Sequence, residues 1–302
     1  MKGQTFFELQ IQRGLDRVVE ETKQFDRIVG GVYEVTAQKV YGTEDPKGIA
    51  ISAYGSPGRI ELIGGDSDAD IFLCEDERTP QSIQFRELIK NNLGLFDFSK
   101  VDLTEWGTYN EMEIYLQKSL VEGNQILETR HLIGDKDVIE EIERKKKQYD
   151  SIERGLNNII FNRLYLNQYF RQKIRDGAIN IKYCFGGSRD FLFINWYDKL
   201  DRRISNEKYD AQYQPGVKVG LQRLFEQGKI TERELIDVTE AINFSIVFRS
   251  DILKVNRNTS DRGLTFLDET TLQRLQIIGY PEPDITKRVF ERYKQTIDNI
   301  SQ

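Results

Sequence analysis

One short string limits what this chain can fold into more than any other. Ala50-Ile51-Ser52-Ala53-Tyr54-Gly55-Ser56-Pro57-Gly58-Arg59-Ile60-Glu61-Leu62 is soon followed by Ser67-Asp68-Ala69-Asp70-Ile71-Phe72-Leu73-Cys74. The apolar run from Gly48 to Tyr54, stopped by Gly55-Ser56, reads as a buried strand. Pro57 then falls where proline is tolerated, at the first position of a helix. The order is strand, glycine turn, helix start, strand. Gly55 and Ser56 lie at a helix N-terminus, where free N–H groups and the helix dipole favour an anion and glycine permits close approach of a phosphate. Arg59, one turn in, adds a cation with a two-pronged fork.

The second half of the unit brings the opposite charge. In a strand Asp68 and Asp70 share one face, while Ala69, Ile71 and Leu73 point into a core. Two neighbouring carboxylates repel, and magnesium, which takes carboxylate oxygens together with substrate phosphates, holds such a pair. A phosphate cradle beside paired carboxylates describes a two-metal nucleotidyl-transfer site, with metals about 3.5–4 Å apart. A plain turn and a solvated strand face would explain the glycine and the aspartates separately, but Asp is depleted in strands and two in phase need a reason.

Gly55-Ser56, a spacer and Asp68-Ala69-Asp70 together resemble the signature of the DNA polymerase β-like nucleotidyltransferase superfamily. With Arg59 and Glu61 included, the string is similar to the branch of PII-protein uridylyltransferases and glutamine synthetase adenylyltransferases. The resemblance implies a third carboxylate on a later strand, acting as metal ligand and general base. Lys100-Val101-Asp102-Leu103-Thr104 resembles that strand and nominates Asp102, with Asp97 as competitor. It also implies magnesium or manganese as cofactor, ATP or UTP as donor, and a protein acceptor. Leu127-Glu128-Thr129-Arg130 followed by Gly134-Asp135 continues the likeness. So does Asn180 to Phe193, with its lysine, paired glycines Gly186-Gly187 and Arg189-Asp190, although Ser188 stands where the families have leucine. There the resemblance gives Lys182 and Arg189 to the nucleotide phosphates; a structural Arg189-Asp190 ion pair is the alternative.

Composition sets the outer limits. The chain has 302 residues, a formal net charge of −6, one histidine and two cysteines, Cys74 and Cys184. The cysteines and histidine cannot build a zinc site. Scattered basic residues and negative charge argue against nucleic acid as acceptor. No apolar run approaches a membrane span and the N-terminus lacks a signal-peptide pattern, so the expected compartment is the cytoplasm. The uridylyltransferases also carry a histidine-rich hydrolase domain and ligand-sensing domains; the expectation here is a transferase core without them.

The expected fold is α/β (α+β): a nucleotidyltransferase domain with a small mixed sheet over residues 1–135, N-terminal helices included, followed by an all-helical domain over 136–302. Residues 5–41 read as two amphipathic helices broken near Gly30-Gly31, 82–92 as a helix and 108–133 as a helix in whose last turn His131 interacts with the dipole. Residues 137–175 form one long helical stretch, and Thr231 with Glu234 opens a further helix as a capping box. The functional expectation is transfer of UMP or AMP to an acceptor hydroxyl. A non-catalytic nucleotide-binding partner and a small-molecule adenylyltransferase of the antibiotic-modifying kind are the alternatives.

Overall fold

The string around Gly55 folds as a strand, a single helical turn and a second strand. In the computed structural model the residues described are 13–63, 69–96, 101–104, 108, 111, 128–148, 179–181, 194–198, 213–256 and 266–301. The protein is mixed α/β and mostly helical, and it divides into two compact units. One comprises Val19–Asn158 and Leu200–Tyr213; the other comprises Met1–Val18, Ile159–Lys199 and Gln214–Gln302.

The first unit is built on β1 (Ile49–Ala53), whose five residues are all buried. It pairs antiparallel with β2 (Ala69–Glu75) on one side and with β4 (Arg130–Gly134) on the other, and β3 (Val101–Thr104) joins β2 in parallel, giving the order β3-β2-β1-β4. Apolar side chains alternate onto both faces of β1 and β2. Ile49, Ile51, Ile71 and Leu73 pack on Phe25, Val29 and Tyr33 of α1 (Gly14–Tyr41) and on Phe85 and Ile89 of α3 (Pro80–Leu93). Ala50, Phe72 and Cys74 face Val138 and Ile142 of α4 (Lys136–Gln148). Helix α4 therefore belongs with the sheet. Asp135 fixes the junction: its carboxylate accepts from the Gly48 N–H at 2.8 Å and the Asp137 N–H at 3.1 Å, capping α4 and anchoring the start of β1.

Three local expectations are corrected. Helix α1 runs 28 residues straight through Gly30-Gly31 instead of breaking there. Neither glycine has a neighbour within 4 Å of where a Cβ would stand. Each costs the helix about 1 kcal/mol, and burial of Val29, Val32 and Tyr33 around them, worth about 1.5–3 kcal/mol per side chain, outweighs it. Residues 130–134, expected as the end of a helix, are strand because they pair with β1; His131 lies opposite Ser52 and is exposed. Pro57 occupies the third position, not the first, of a four-residue turn, α2 (Gly55–Gly58), where its missing N–H is still an unused donor.

In the second unit α6 (Glu232–Asn256) is the core helix. It is flanked by α5 (Gly216–Glu226), α7 (Glu269–Ile277) and α8 (Pro283–Ser301). Phe244 and Phe248 of α6 stack at 5.0 Å, Tyr293 lies 4.6 Å from Phe244, and Phe290 lies 5.5 Å from Phe248. The expected capping box is present: the Thr231 hydroxyl accepts from the Glu234 N–H at 3.2 Å and Glu234 accepts from the Thr231 N–H at 2.7 Å. A small antiparallel ribbon, β5 (Ile179–Asn180) with β6 (Phe266–Leu267), adds strand to a unit expected to be wholly helical. Among the described residues no helix is long and apolar enough to cross a membrane.

Candidate functional site

The turn α2 projects from the end of β1. Gly55 takes φ +59°, a left-handed value that glycine adopts without penalty. Directly against it lies Asp70: a Cβ on Gly55 would stand 2.2 Å from the Asp70 carboxylate Oδ2. The Tyr54 N–H donates to the Asp70 carbonyl at 3.1 Å, so the strand ladder continues up to the residue before the turn. The turn's own hydrogen bonds run from Gly58 to Tyr54, Arg59 to Gly55, Ile60 to Pro57 and Glu61 to Ser56. Among the described residues they leave the N–H groups of Gly55 and Ser56 uncommitted.

The turn closes in an unusual way. The Ile60 N–H to Pro57 and Glu61 N–H to Ser56 bonds form a Schellman motif, whose left-handed residue is normally glycine. Here it is Ile60 at φ +60°, buried to 2% exposure. A β-branched residue in this region is a backbone outlier, and burial of its side chain holds it there.

Parallel pairing of β2 with β3 puts Asp102 in register with Asp70, as Cα partners. Asp70 and Asp102 are thus neighbours at the end of the sheet that carries the glycine turn. Asp68, Asp97, Lys182 and Arg189, with Asp190, lie outside the described residues, as do the paired glycines Gly186-Gly187 and all of the 149–175 stretch. Among the described residues no three His, Cys, Asp or Glu side chains gather into a metal-holding group.

Arg59 is placed behind the turn among carboxylates. Its Nε donates to Glu61 Oε2 at 2.8 Å and its Nη1 to Glu128 Oε2 at 2.6 Å. Burial works against the guanidinium charge, but Glu128 and then Glu61 hold its pKa above the usual value. The Glu128 side chain is fully buried at 0% exposure, so removing Arg59 would break a buried ion pair, a loss of up to about 3–5 kcal/mol. Glu128 also presses on the turn through its backbone: a Cβ on Gly58 would meet the Glu128 carbonyl oxygen at 2.5 Å. Arg59 braces the turn whatever else it contacts.

Sequence reasoning assigned no role to Glu128, Arg130, Asp26 or Tyr213. The Leu-Glu-Xaa-Arg string was the available signal, since it contains both Glu128 and Arg130. No family model matches the chain, and no curated protein matches it. What the site does is carried by its own residues.

Proposed function

We propose that this protein is a metal-dependent nucleotidyltransferase that moves UMP or AMP from UTP or ATP to an acceptor hydroxyl, with a regulatory protein as acceptor. The observation that carries the reading is the Asp70 carboxylate set against the α-carbon of Gly55 at the start of the turn, with Asp102 in register beside it. What supports the reading is that the Asp70 carboxylate and the glycine turn share one end of the sheet, with the backbone of Asp102 in register beside Asp70.

In this reading the N–H groups of Gly55 and Ser56 and the Ser56 hydroxyl bind phosphate oxygens, and Lys182 and Arg189 add positive charge. Carboxylate oxygens suit magnesium or manganese, and Asp68, Asp70 and Asp102 are the residues that would hold it. When bound, the metal polarises the phosphoryl oxygens and neutralises their charge. Asp102 takes the proton of the acceptor hydroxyl as its oxygen bonds to the α-phosphorus. The bond from that phosphorus to the bridging oxygen breaks, and pyrophosphate leaves. Positioning and charge neutralisation supply the rate.

The test is pyrophosphate release and label transfer from each nucleoside triphosphate with magnesium and candidate acceptors, for wild type, Asp70→Asn and Asp102→Asn. Magnesium-dependent transfer by the wild type and its loss in both folded variants is the expected result. Wild-type rates in Asp70→Asn would overturn the assignment. Nucleotide binding without any pyrophosphate release would point to a non-catalytic binding protein.

A further inference from the structure

Behind the glycine turn stands a cluster that the reaction does not use. Arg130 on β4 forms a two-pronged pair with Asp26 of α1, Nη1 to Oδ2 at 2.8 Å and Nη2 to Oδ1 at 2.8 Å. Its Nη2 also donates to the Pro57 carbonyl at 3.1 Å. The Tyr213 hydroxyl donates to Asp26 Oδ2 at 2.9 Å, and the guanidinium carbon lies 5.7 Å from the centre of the Tyr213 ring. Arg130 and Asp26 are only 22% and 11% exposed. Asp26 is itself fixed, because Phe25 and Val29 on either side of it are packed in the core against β1 and β2.

A four-residue turn is too short to hold its own place, since helix formation needs many more bonds than this to become favourable. Its position must be set from outside. The only carbonyl of the turn that Arg130 reaches, Pro57, is also the acceptor of the turn's longest hydrogen bond, from Ile60 at 3.3 Å. A guanidinium can satisfy Asp26 with one edge and still donate to Pro57; an ammonium lacks the fork that does both.

We propose that Arg130 is a positioning residue that sets the Gly55–Gly58 turn by tying the Pro57 carbonyl to Asp26 of α1, with the Tyr213 hydroxyl steadying the Asp26 carboxylate. This deepens the nucleotidyl-transfer reading and rests on it for what the turn binds. The clamp works in the free protein, before any nucleotide arrives. It places the uncommitted N–H groups of Gly55 and Ser56 relative to Asp70, and so acts on nucleotide affinity and not on the chemical step.

The experiment uses the full chain with Arg130→Lys, and Tyr213→Phe as a milder variant that removes one hydroxyl. Amide hydrogen exchange is read in the absence of nucleotide, and nucleotide affinity and turnover are read separately. In Arg130→Lys the amides of Arg59 and Glu61 exchange about tenfold faster while those of α3 are unchanged, since one charge-assisted anchor of the turn is lost. Nucleotide Kd rises about tenfold, with turnover at saturation within about threefold of wild type. Tyr213→Phe shows the same pattern at smaller amplitude, which keeps the test usable if Arg130→Lys does not fold. Unchanged exchange at the turn, or equal acceleration across α3, overturns the proposal. Faster exchange at the turn in a protein whose wild type binds no nucleotide supports the clamp and overturns the nucleotidyl-transfer reading instead.

Discussion

Replacing Gly55 with alanine separates backbone cost from site chemistry. The added methyl must accept φ +59°, at a cost of about 1–2 kcal/mol for a non-glycine residue. It would also stand 2.2 Å from Asp70 Oδ2 and 3.1 Å from its Cγ, where ordinary contact begins at 3.4 Å. The carboxylate is the movable partner, so it retreats by about 1 Å, a displacement that costs a reacting group about 100-fold in rate. Gly42→Ala is the matched control, since Gly42 has φ +74° and nothing within 4 Å of its Cβ position. Both variants should lose similar stability, with Tm down by about 2–8 °C. Only Gly55→Ala should lose turnover, read as pyrophosphate release at saturating nucleotide and magnesium. Turnover in Gly55→Ala within about threefold of the Gly42→Ala value would refute the placement of Asp70 among the reacting groups.

Two further outcomes follow from geometry already described. Ile60→Ala keeps the left-handed strain and loses the buried side chain, costing about 2–5 kcal/mol, whereas Ile60→Gly loses the side chain but relieves about 1–2 kcal/mol of strain. Glycine should therefore be the less damaging substitution in urea unfolding, and alanine equal to or better than glycine would remove the Schellman assignment. The Asp135 carboxyl is held below its usual pKa, chiefly by the Gly48 N–H and then by the Asp137 N–H and Lys47, against an opposing effect of burial. Because the folded value is depressed, its stabilising contribution is complete above about pH 4, the unfolded value, and disappears as pH falls through the folded one. Asp135→Asn should flatten the acid limb of the stability profile below about pH 4, and parallel profiles for the two proteins would contradict this.

The elements that local pattern specifies were legible in the sequence. The run before Gly55 forms β1, the segment around Asp102 forms a strand in register with Asp70, and Thr231 with Glu234 caps α6 as its spacing indicates. Glycine propensity suggested a break at Gly30-Gly31, but apolar burial along α1 overrides it. Helical spacing around His131 misled because pairing with β1 decides the conformation of residues 130–134. The supports of the turn were hidden for a different reason. Arg59 and Glu128 are 69 residues apart, Arg130 and Asp26 are 104 apart, and Tyr213 and Asp26 are 187 apart. Periodicity covers a few turns of chain and says nothing about partners at that range. From sequence Arg59 therefore reads as a phosphate cation, while its two carboxylate partners become visible only in the fold.

The two apolar faces of β2 have a consequence for how that strand finds its place. In a sheet with one wet face, a slip of one residue exposes the core and is rejected at once. In β2 such a slip would exchange Ile71 and Leu73 for Phe72 and Cys74, oil for oil, and the layers on either side would barely object. The discriminating marks are the charged ends of the strand: Glu75, buried and paired with Arg86 and Arg78, would lose its place, and Asp70 would be driven from the open end of the sheet toward the layer formed by α1 and α3. The carboxylate that the proposed chemistry requires thus helps tell the strand where to stop. An apolar replacement such as Asp70→Leu would erase that mark along with the charge, and its loss of activity would not separate chemistry from misregistration; Asp70→Asn keeps the mark polar and changes only the charge.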